Sequence, residues 1–92
     1  MIKTFKNKAT EALFNGAQVS KFVNFESAAR RKLAMVNAAT TLNDLKVPPR
    51  NKLEALKGDR KGQHSIRIND QFRLCFKWKE GDAYDVEITD YH

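Results

Sequence analysis

Three segments of alternating apolar and polar residues, joined by two tight turns, limit the fold of this chain more than any other feature. They lie around residues 64 to 69, 72 to 79 and 83 to 90, with Asp70-Gln71 and Glu80-Gly81-Asp82 as the turns. Such short connections make consecutive strands antiparallel neighbours. The pattern therefore predicts a β-meander whose apolar face carries Ile66, Ile68, Phe72, Leu74, Phe76, Trp78, Val86 and Ile88.

The first half of the chain has a helical pattern. In residues 25 to 42 the apolar side chains recur every three or four residues, which predicts an amphipathic helix with Asn24 as its N-cap. A shorter helix is expected to open at Thr10-Glu11 and to close at Gly16, after an N-terminal strand in MIKTF. Pro48-Pro49 ends the helical part. Helices covering one face of an antiparallel meander make an α+β fold.

Length and composition exclude several classes of protein. Ninety-two residues suit one domain, and one cysteine, Cys75, cannot form a disulfide within the chain. There is no run of about 20 apolar residues and no leader-like N-terminus, so we expect a cytoplasmic protein without a membrane partner. Two histidines, His64 and His92, make a poor basis for a metal site, and we expect neither metal nor cofactor.

The positive charge is concentrated in one segment. The chain carries a net charge of +6, whereas residues 46 to 79 hold ten basic and three acidic residues, a net of +7. Clustered cations favour a polyanionic partner, RNA or DNA, because binding releases the counterions of the phosphates. A charged surface that merely keeps the protein in solution is an equally good interpretation of composition alone.

The period of two places several polar side chains on the face opposite the apolar layer. Arg67 and Asn69 on one strand and Arg73, Cys75 and Lys77 on the next are expected there. The turn before them adds Lys57, Arg60 and Lys61. Together these cations would form a basic platform able to bind a phosphate backbone, although exposed strand arginines are often simply solvated.

The chain ends on three residues that can move protons, Asp90, Tyr91 and His92. Cleavage of RNA by its own 2′-OH needs such groups and cations for the phosphate, here Lys57, Arg67 and Arg73. Counting by twos from Ile88 puts Asp90 and His92 on the apolar side. The strand therefore twists or bulges near Thr89, or the site lies at the edge of the sheet.

Two long stretches, LKGDRKGQHSIRINDQFRLCFKW and GDAYDVEITDYH, resemble the HigB-type toxins of bacterial toxin-antitoxin modules, a branch of the RelE superfamily. The stretches RKLAMVNAAT and PPRNKLEALKG are especially similar to the GraT-type members. The resemblance implies a RelE-like fold and a ribosome-dependent endoribonuclease that cuts mRNA in the ribosomal A site. It also implies a HigA-type antitoxin, through which alone the toxin would reach operator DNA.

The resemblance assigns roles by position. Lys57 and Arg73 would hold the scissile phosphate, Asp90 and His92 would transfer protons, and Tyr91 would position a base or the backbone. The remaining cations of the platform are expected to bind RNA: Arg60, Lys61, Arg67 and Lys77. The rival interpretation is a translation inhibitor that binds RNA or the ribosome without cutting.

Two positions depart from the pattern of the family. Glu54 stands where some HigB proteins have a histidine, and Phe72 stands where tryptophan is usual. Phe72 is a mild change, whereas Glu54 replaces a group that transfers protons or carries positive charge by an anion. Glu54 is either a base for the 2′-OH or a surface carboxylate paired with Lys57 or Lys52.

Overall fold

A four-stranded antiparallel sheet with two helices on one face makes up the computed structural model, which describes residues 1 to 90. The helices are α1 (Lys8–Phe14) and α2 (Glu26–Ala38). The strands are β1 (Glu54–Ala55), β2 (Gln63–Arg67), β3 (Phe72–Lys79) and β4 (Asp82–Asp90), in the order β1-β2-β3-β4. The α+β fold and the three long strands of the meander are confirmed. β1, a strand of two residues, was not predicted.

The apolar faces of the helices and the sheet meet in one core. Leu13 from α1 and Leu33 and Val36 from α2 are fully buried against the fully buried Leu74 and Phe76 of β3. The predicted apolar face of the sheet is confirmed, with Phe72 and Trp78 only partly buried at its ends. Burial of these side chains holds the helices on this face of the sheet, and the opposite face is not covered by helices.

The ends of the helices differ in part from the sequence predictions. Asn7, and not Thr10-Glu11, opens α1, because the Asn7 side chain accepts a hydrogen bond from the Thr10 backbone N–H at 2.9 Å. Gly16 closes α1 as predicted, with a φ of 99° that glycine adopts without strain. Asn24 is not an N-cap, since it lies inside a 3-10 turn, Ser20–Phe25, that runs directly into α2.

A β-bulge at Asp85 sets the direction of side chains along β4. Cys75 pairs with Glu87 but Lys77 pairs with Tyr84, so β4 has one extra residue there, and Asp85 has a φ of 52°. From Glu87 onward the register is unbroken. The alternative of a bulge near Thr89 is therefore wrong, and Asp90 lies at the end of the sheet, opposite Phe72.

The N-terminal segment covers the outer edge of β4. Ile2 and Phe5 make isolated parallel bridges with Ala83 and Val86, in place of the regular strand predicted for MIKTF. Further along the same edge, the Thr10 hydroxyl accepts a hydrogen bond from the Ile88 backbone N–H at 3.1 Å. This edge is thus protected from pairing with another chain. Within residues 1 to 90, no helix is long and apolar enough to cross a membrane.

Candidate functional site

A row of four side chains crosses the face of the sheet that the helices leave uncovered. In register these are Glu54 on β1, Ser65 on β2, Cys75 on β3 and Glu87 on β4. The predicted placement of Cys75 on this face is confirmed, and both Ser65 and Cys75 are fully buried there. Burial raises the pKa of the Cys75 thiol. Two arginines, Arg60 and Arg73, contact this row.

Arg73 is held on three sides by neighbouring elements. Its Nε donates to the Ser65 hydroxyl at 2.7 Å, and its guanidinium donates to the Lys52 backbone oxygen at 2.7 Å. The guanidinium also lies 3.3 Å from the Glu54 carboxylate, and the Arg73 side chain is only 12% exposed. The partner of Glu54 in the structure is therefore Arg73, and not Lys57 or Lys52 as the surface-pair interpretation had it.

Arg60 spans the other half of the row. Its guanidinium donates to the Glu87 carboxylate at 2.8 Å, to the Gln63 side-chain oxygen at 3.1 Å and to the Thr89 hydroxyl at 3.3 Å. The short turn Gly58–Arg60 brings this side chain back over the sheet. Arg60 thus ties the turn to β2 and β4, and its role in RNA binding stays a prediction.

The face is electrostatically more balanced than the basic platform predicted from the sequence. Arg60 and Arg73 alternate with the carboxylates of Glu54 and Glu87 around Cys75. Glu87 lies outside the basic segment of the sequence, so counting charges in that segment missed it. Fixed pairs of this kind hold guanidinium groups in place, ready for a phosphate that can replace a carboxylate.

The other predicted cations lie at different distances from Arg73. Arg67 is directly opposite Arg73 in the sheet and forms an ion pair with Asp70. Lys77 lies four residues further along β3, roughly 13 Å away, and its Nζ is 3.3 Å from the Asp85 carboxylate. Arg67 therefore belongs with Arg73, whereas Lys77 lies at the far end of the same face.

Two exposed lysines flank the turn that carries Arg60. Lys57 precedes the turn and Lys61 follows it, and both are exposed. The backbone N–H of the preceding residue, the buried Leu56, donates to the Gln63 carbonyl at 2.9 Å, which fixes the start of the turn beside β2. The role of Lys57 at a phosphate and that of Lys61 in RNA binding stay predictions.

The C-terminal residues are described only as far as Asp90. Its carboxylate accepts a hydrogen bond from the Gln71 side chain at 3.0 Å. Thr89, one residue earlier, pairs with Arg73, whereas Asp90 pairs with Phe72 of the apolar face, so Asp90 lies at the end of the sheet with the parity opposite to that of Arg73. The predictions for Tyr91 and His92 fall outside the described residues.

Sequence reasoning missed Ser65, Gln63 and Glu87 as members of this face. The tight turn after β2 sets Arg67 opposite Arg73, and counting by twos from that pair gives Ser65 opposite Cys75. Glu87 lies between Val86 and Ile88 of the apolar face, so the period of two also places it on the uncovered face; the bulge at Asp85 changes only the β3 partner obtained by counting from the Glu80-Gly81-Asp82 turn. Among residues 1 to 90, no three or more His, Cys, Asp or Glu side chains are grouped so that they could hold a metal ion.

Comparison with known proteins identifies the family. Residues 3–92 match the family of HigB-like toxins, described as the RelE-like toxin of the type II toxin-antitoxin system HigB. This chain belongs to the HigB-like toxin family. It is 39% identical over 90 residues to toxin HigB-1 of Vibrio cholerae, covering 96% of this chain and 95% of that one. It is 36% identical over 94 residues to the endoribonuclease HigB of Proteus vulgaris, covering 100% of both.

Solved structures agree on the RelE-like fold of this HigB-like chain. The YoeB-YefM complex of Staphylococcus aureus matches with a TM-score of 0.62 at 22% identity, over 100% of this chain and 95% of that one. A YoeB/ParE toxin of Agrobacterium tumefaciens matches with a TM-score of 0.56 at 16% identity, over 98% and 99%. Membership of a type II toxin family implies an antitoxin as protein partner. The closer resemblance to GraT-type members stays a prediction.

Proposed function

We propose that this HigB-like chain is an endoribonuclease that cuts translated mRNA in the ribosomal A site. The observation that carries the proposal is the 36% identity to the Proteus vulgaris endoribonuclease HigB over the full length of both chains. The cleavage proceeds without metal, through attack of the RNA 2′-OH on the adjacent phosphate. A HigA-type antitoxin holds the enzyme in check, and the antitoxin connects it to operator DNA.

Arg73 is the proposed ligand of the scissile phosphate. Its hydrogen bonds to Ser65 and to the Lys52 backbone fix the guanidinium before any substrate arrives. Another partner, Glu54, is an exposed residue with a half-exposed side chain, and a phosphate oxygen can replace its carboxylate. A guanidinium fixed in advance stabilises the charge that develops on the phosphate at little cost in reorganisation. Lys57 supplies a second cation from the start of the adjoining turn.

Proton transfer is assigned to the C-terminal residues. Asp90 and His92 exchange protons with the 2′-OH and the leaving 5′ oxygen, and Tyr91 positions a base or the backbone. Asp90 continues a strand whose outer edge is covered by the N-terminal segment, and a strand fixed in this way supports a site built on its end. Glu54 serves as the ion-pair partner of Arg73 in this mechanism, not as the base.

The remaining cations bind RNA around this centre. Arg67, opposite Arg73, contacts the RNA strand that is cut. Further along the face, the mRNA or the ribosome is contacted by Arg60, Lys61 and Lys77. Since translating ribosomes supply the substrate, the site of action is the cytoplasm.

Incubation of the purified chain with translating ribosomes and a defined message tests the proposal. Primer extension should map cuts at positions in phase with the codons, and these cuts should be absent when ribosomes are left out. The comparison variant is His92→Ala, which removes a proposed proton-transfer group. It should bind the antitoxin normally and cut roughly 100-fold or more slowly than the wild-type chain. Blocked translation without any cut in the message would assign the chain to the rival class of non-cleaving inhibitors.

A further inference from the structure

A polar pocket opens at the edge of the sheet where β2 ends. It has a volume of about 290 Å³ and is lined by Arg50, Lys52, Arg67 and Asp70. Arg50 and Lys52 come from the connector before β1, and Arg67 is the last residue of β2. Three of its four lining side chains are cations, two from the connector and one from β2. We call this cavity the edge pocket.

A buried asparagine explains why the two connector cations reach the surface side by side. Asn51, between Arg50 and Lys52, is fully buried, and its side-chain amide donates to the backbone oxygens of Leu45 at 3.1 Å and Val47 at 3.3 Å. With Asn51 fixed inward, both of its neighbours are exposed. The left-handed backbone of Lys52, with a φ of 45°, then turns the chain toward β1. The placement of Arg50 and Lys52 is therefore set by the fold.

The surroundings of the edge pocket add further positive charge. The Nζ of Lys32 on α2 donates to the Asn51 side chain at 2.5 Å. Burial, together with the charges of Arg31 and Arg67, lowers the pKa of Lys32. Asp70 is the one carboxylate among the lining residues, and its side chain is fully exposed while it pairs with Arg67. An ion pair this exposed is weak in water, so an anion in the pocket can displace it.

Two lining residues of the edge pocket, Lys52 and Arg67, are neighbours of Arg73 in the candidate site. Arg67 lies directly opposite Arg73, and the backbone oxygen of Lys52 accepts a hydrogen bond from Arg73 at 2.7 Å. We propose that the edge pocket binds a backbone phosphate of the same RNA strand whose scissile phosphate lies at Arg73. The inference rests on the proposed function, because it takes RNA as the ligand. A phosphate, and not a base, suits a pocket lined only by charged side chains.

Salt dependence of RNA binding tests the edge pocket directly. The probe is a short single-stranded 2′-O-methyl RNA, which cannot be cleaved through its 2′ oxygen. The test variant is Arg50→Gln with Lys52→Gln, and the control is Lys3→Gln with Lys8→Gln. The control removes the same charge from exposed residues at the β4 side of the molecule. Loss of this one phosphate contact should reduce the slope of log K against log salt by about 0.7, while the control keeps the wild-type slope.

The outcomes separate the edge pocket from the proposed enzyme. Equal slopes for the two variants, or no binding by the wild-type chain at low salt, would overturn the edge pocket. Lower affinity for the antitoxin with an unchanged RNA slope would also overturn it and assign the pocket to that protein. If the Arg50/Lys52 variant has a reduced slope but the wild-type chain does not cleave mRNA on ribosomes, the edge pocket is supported and the endoribonuclease is refuted. If the wild-type chain cleaves mRNA but the Arg50/Lys52 variant keeps the wild-type slope, only the edge pocket is refuted.

Discussion

The carboxylate of Glu54 lies 3.3 Å from the guanidinium of Arg73, the residue proposed to hold the scissile phosphate. Arg73 is also bound to Ser65 and to the Lys52 backbone, whereas half of the Glu54 side chain is open to solvent. The two sides of Arg73 therefore differ. The contacts with Ser65 and Lys52 fix the guanidinium, and the contact with Glu54 is the one that the proposed phosphate would replace.

Replacing Glu54 should separate its two possible roles. In Glu54→Gln the carboxylate no longer competes for Arg73, so we expect tighter RNA binding and a cleavage rate within a few-fold of wild type. Stability should change by about 1 kcal/mol or less, because the pair is partly exposed. Cleavage rate and RNA affinity are measured on the same preparation. A loss of cleavage by 100-fold or more would instead identify Glu54 as the base.

Removing the Arg60 guanidinium should destabilise the protein. Arg60→Ala leaves Glu87, whose side chain is 12% exposed, without its 2.8 Å partner. We expect a loss of about 1–3 kcal/mol in the free energy of unfolding, measured by urea denaturation. The neighbouring exposed residue gives the control, since Lys61→Ala should change stability by about 0.5 kcal/mol or less. The double variant Arg60→Ala with Glu87→Gln should lose less than the sum of the single changes.

The hydroxyl of Thr10 should protect the backbone amide of Ile88, near the end of β4, from hydrogen exchange. It is fully buried and accepts the Ile88 backbone N–H, so Thr10→Val leaves that N–H without a partner. The expected cost is about 1–3 kcal/mol. Amide exchange at Ile88 should accelerate in Thr10→Val and stay protected in Thr10→Ser, which keeps the acceptor. Equal exchange rates in the two variants would show that this hydrogen bond does not matter.

Stability should fall as the solution becomes more acidic than the ordinary pKa of histidine. Burial lowers the pKa of His64, so the folded protein takes up this proton less readily than the unfolded chain. The contribution of neutral His64 is present in full above about pH 6.5 and is lost as the pH falls toward the lowered folded pKa. Thermal unfolding between pH 5 and pH 7 should therefore depend less on pH in His64→Gln than in wild type.

The sequence predicted the sheet well because local rules decide it. Turns of two or three residues fix which strands are neighbours, and the period of two fixes which side chains are buried, from Ile66 to Ile88. The bulge at Asp85 follows from no local pattern, because it depends on how β3 and β4 twist together. The shift also made the pairing of Glu87 with Cys75 unpredictable from the turn, and the unpredicted strand β1 hid the contact between Glu54 and Arg73.

The sequence predicted the cations of the uncovered face but not the carboxylates that pair with them. Arg60, Arg67 and Arg73 were assigned to one basic platform, yet each has a carboxylate partner in the structure. Pairs such as Arg60 with Glu87 are separated by 27 residues, so only the tertiary fold brings them together. The edge pocket was missed for a similar reason, since burial of Asn51 places Arg50 and Lys52, and the sequence gives no signal that this asparagine is buried.

The chemistry of the cut tests the central claim most directly. A message carrying one 2′-deoxynucleotide at a mapped cleavage site is translated in the presence of the purified chain, beside the all-ribose message. If the 2′-OH is the nucleophile, the all-ribose message is cut to leave a 2′,3′-cyclic phosphate and a 5′-hydroxyl, and the deoxy position stays intact. Cutting of the deoxy message at the same position and rate, or ends with a 3′-hydroxyl and a 5′-phosphate, would contradict the mechanism.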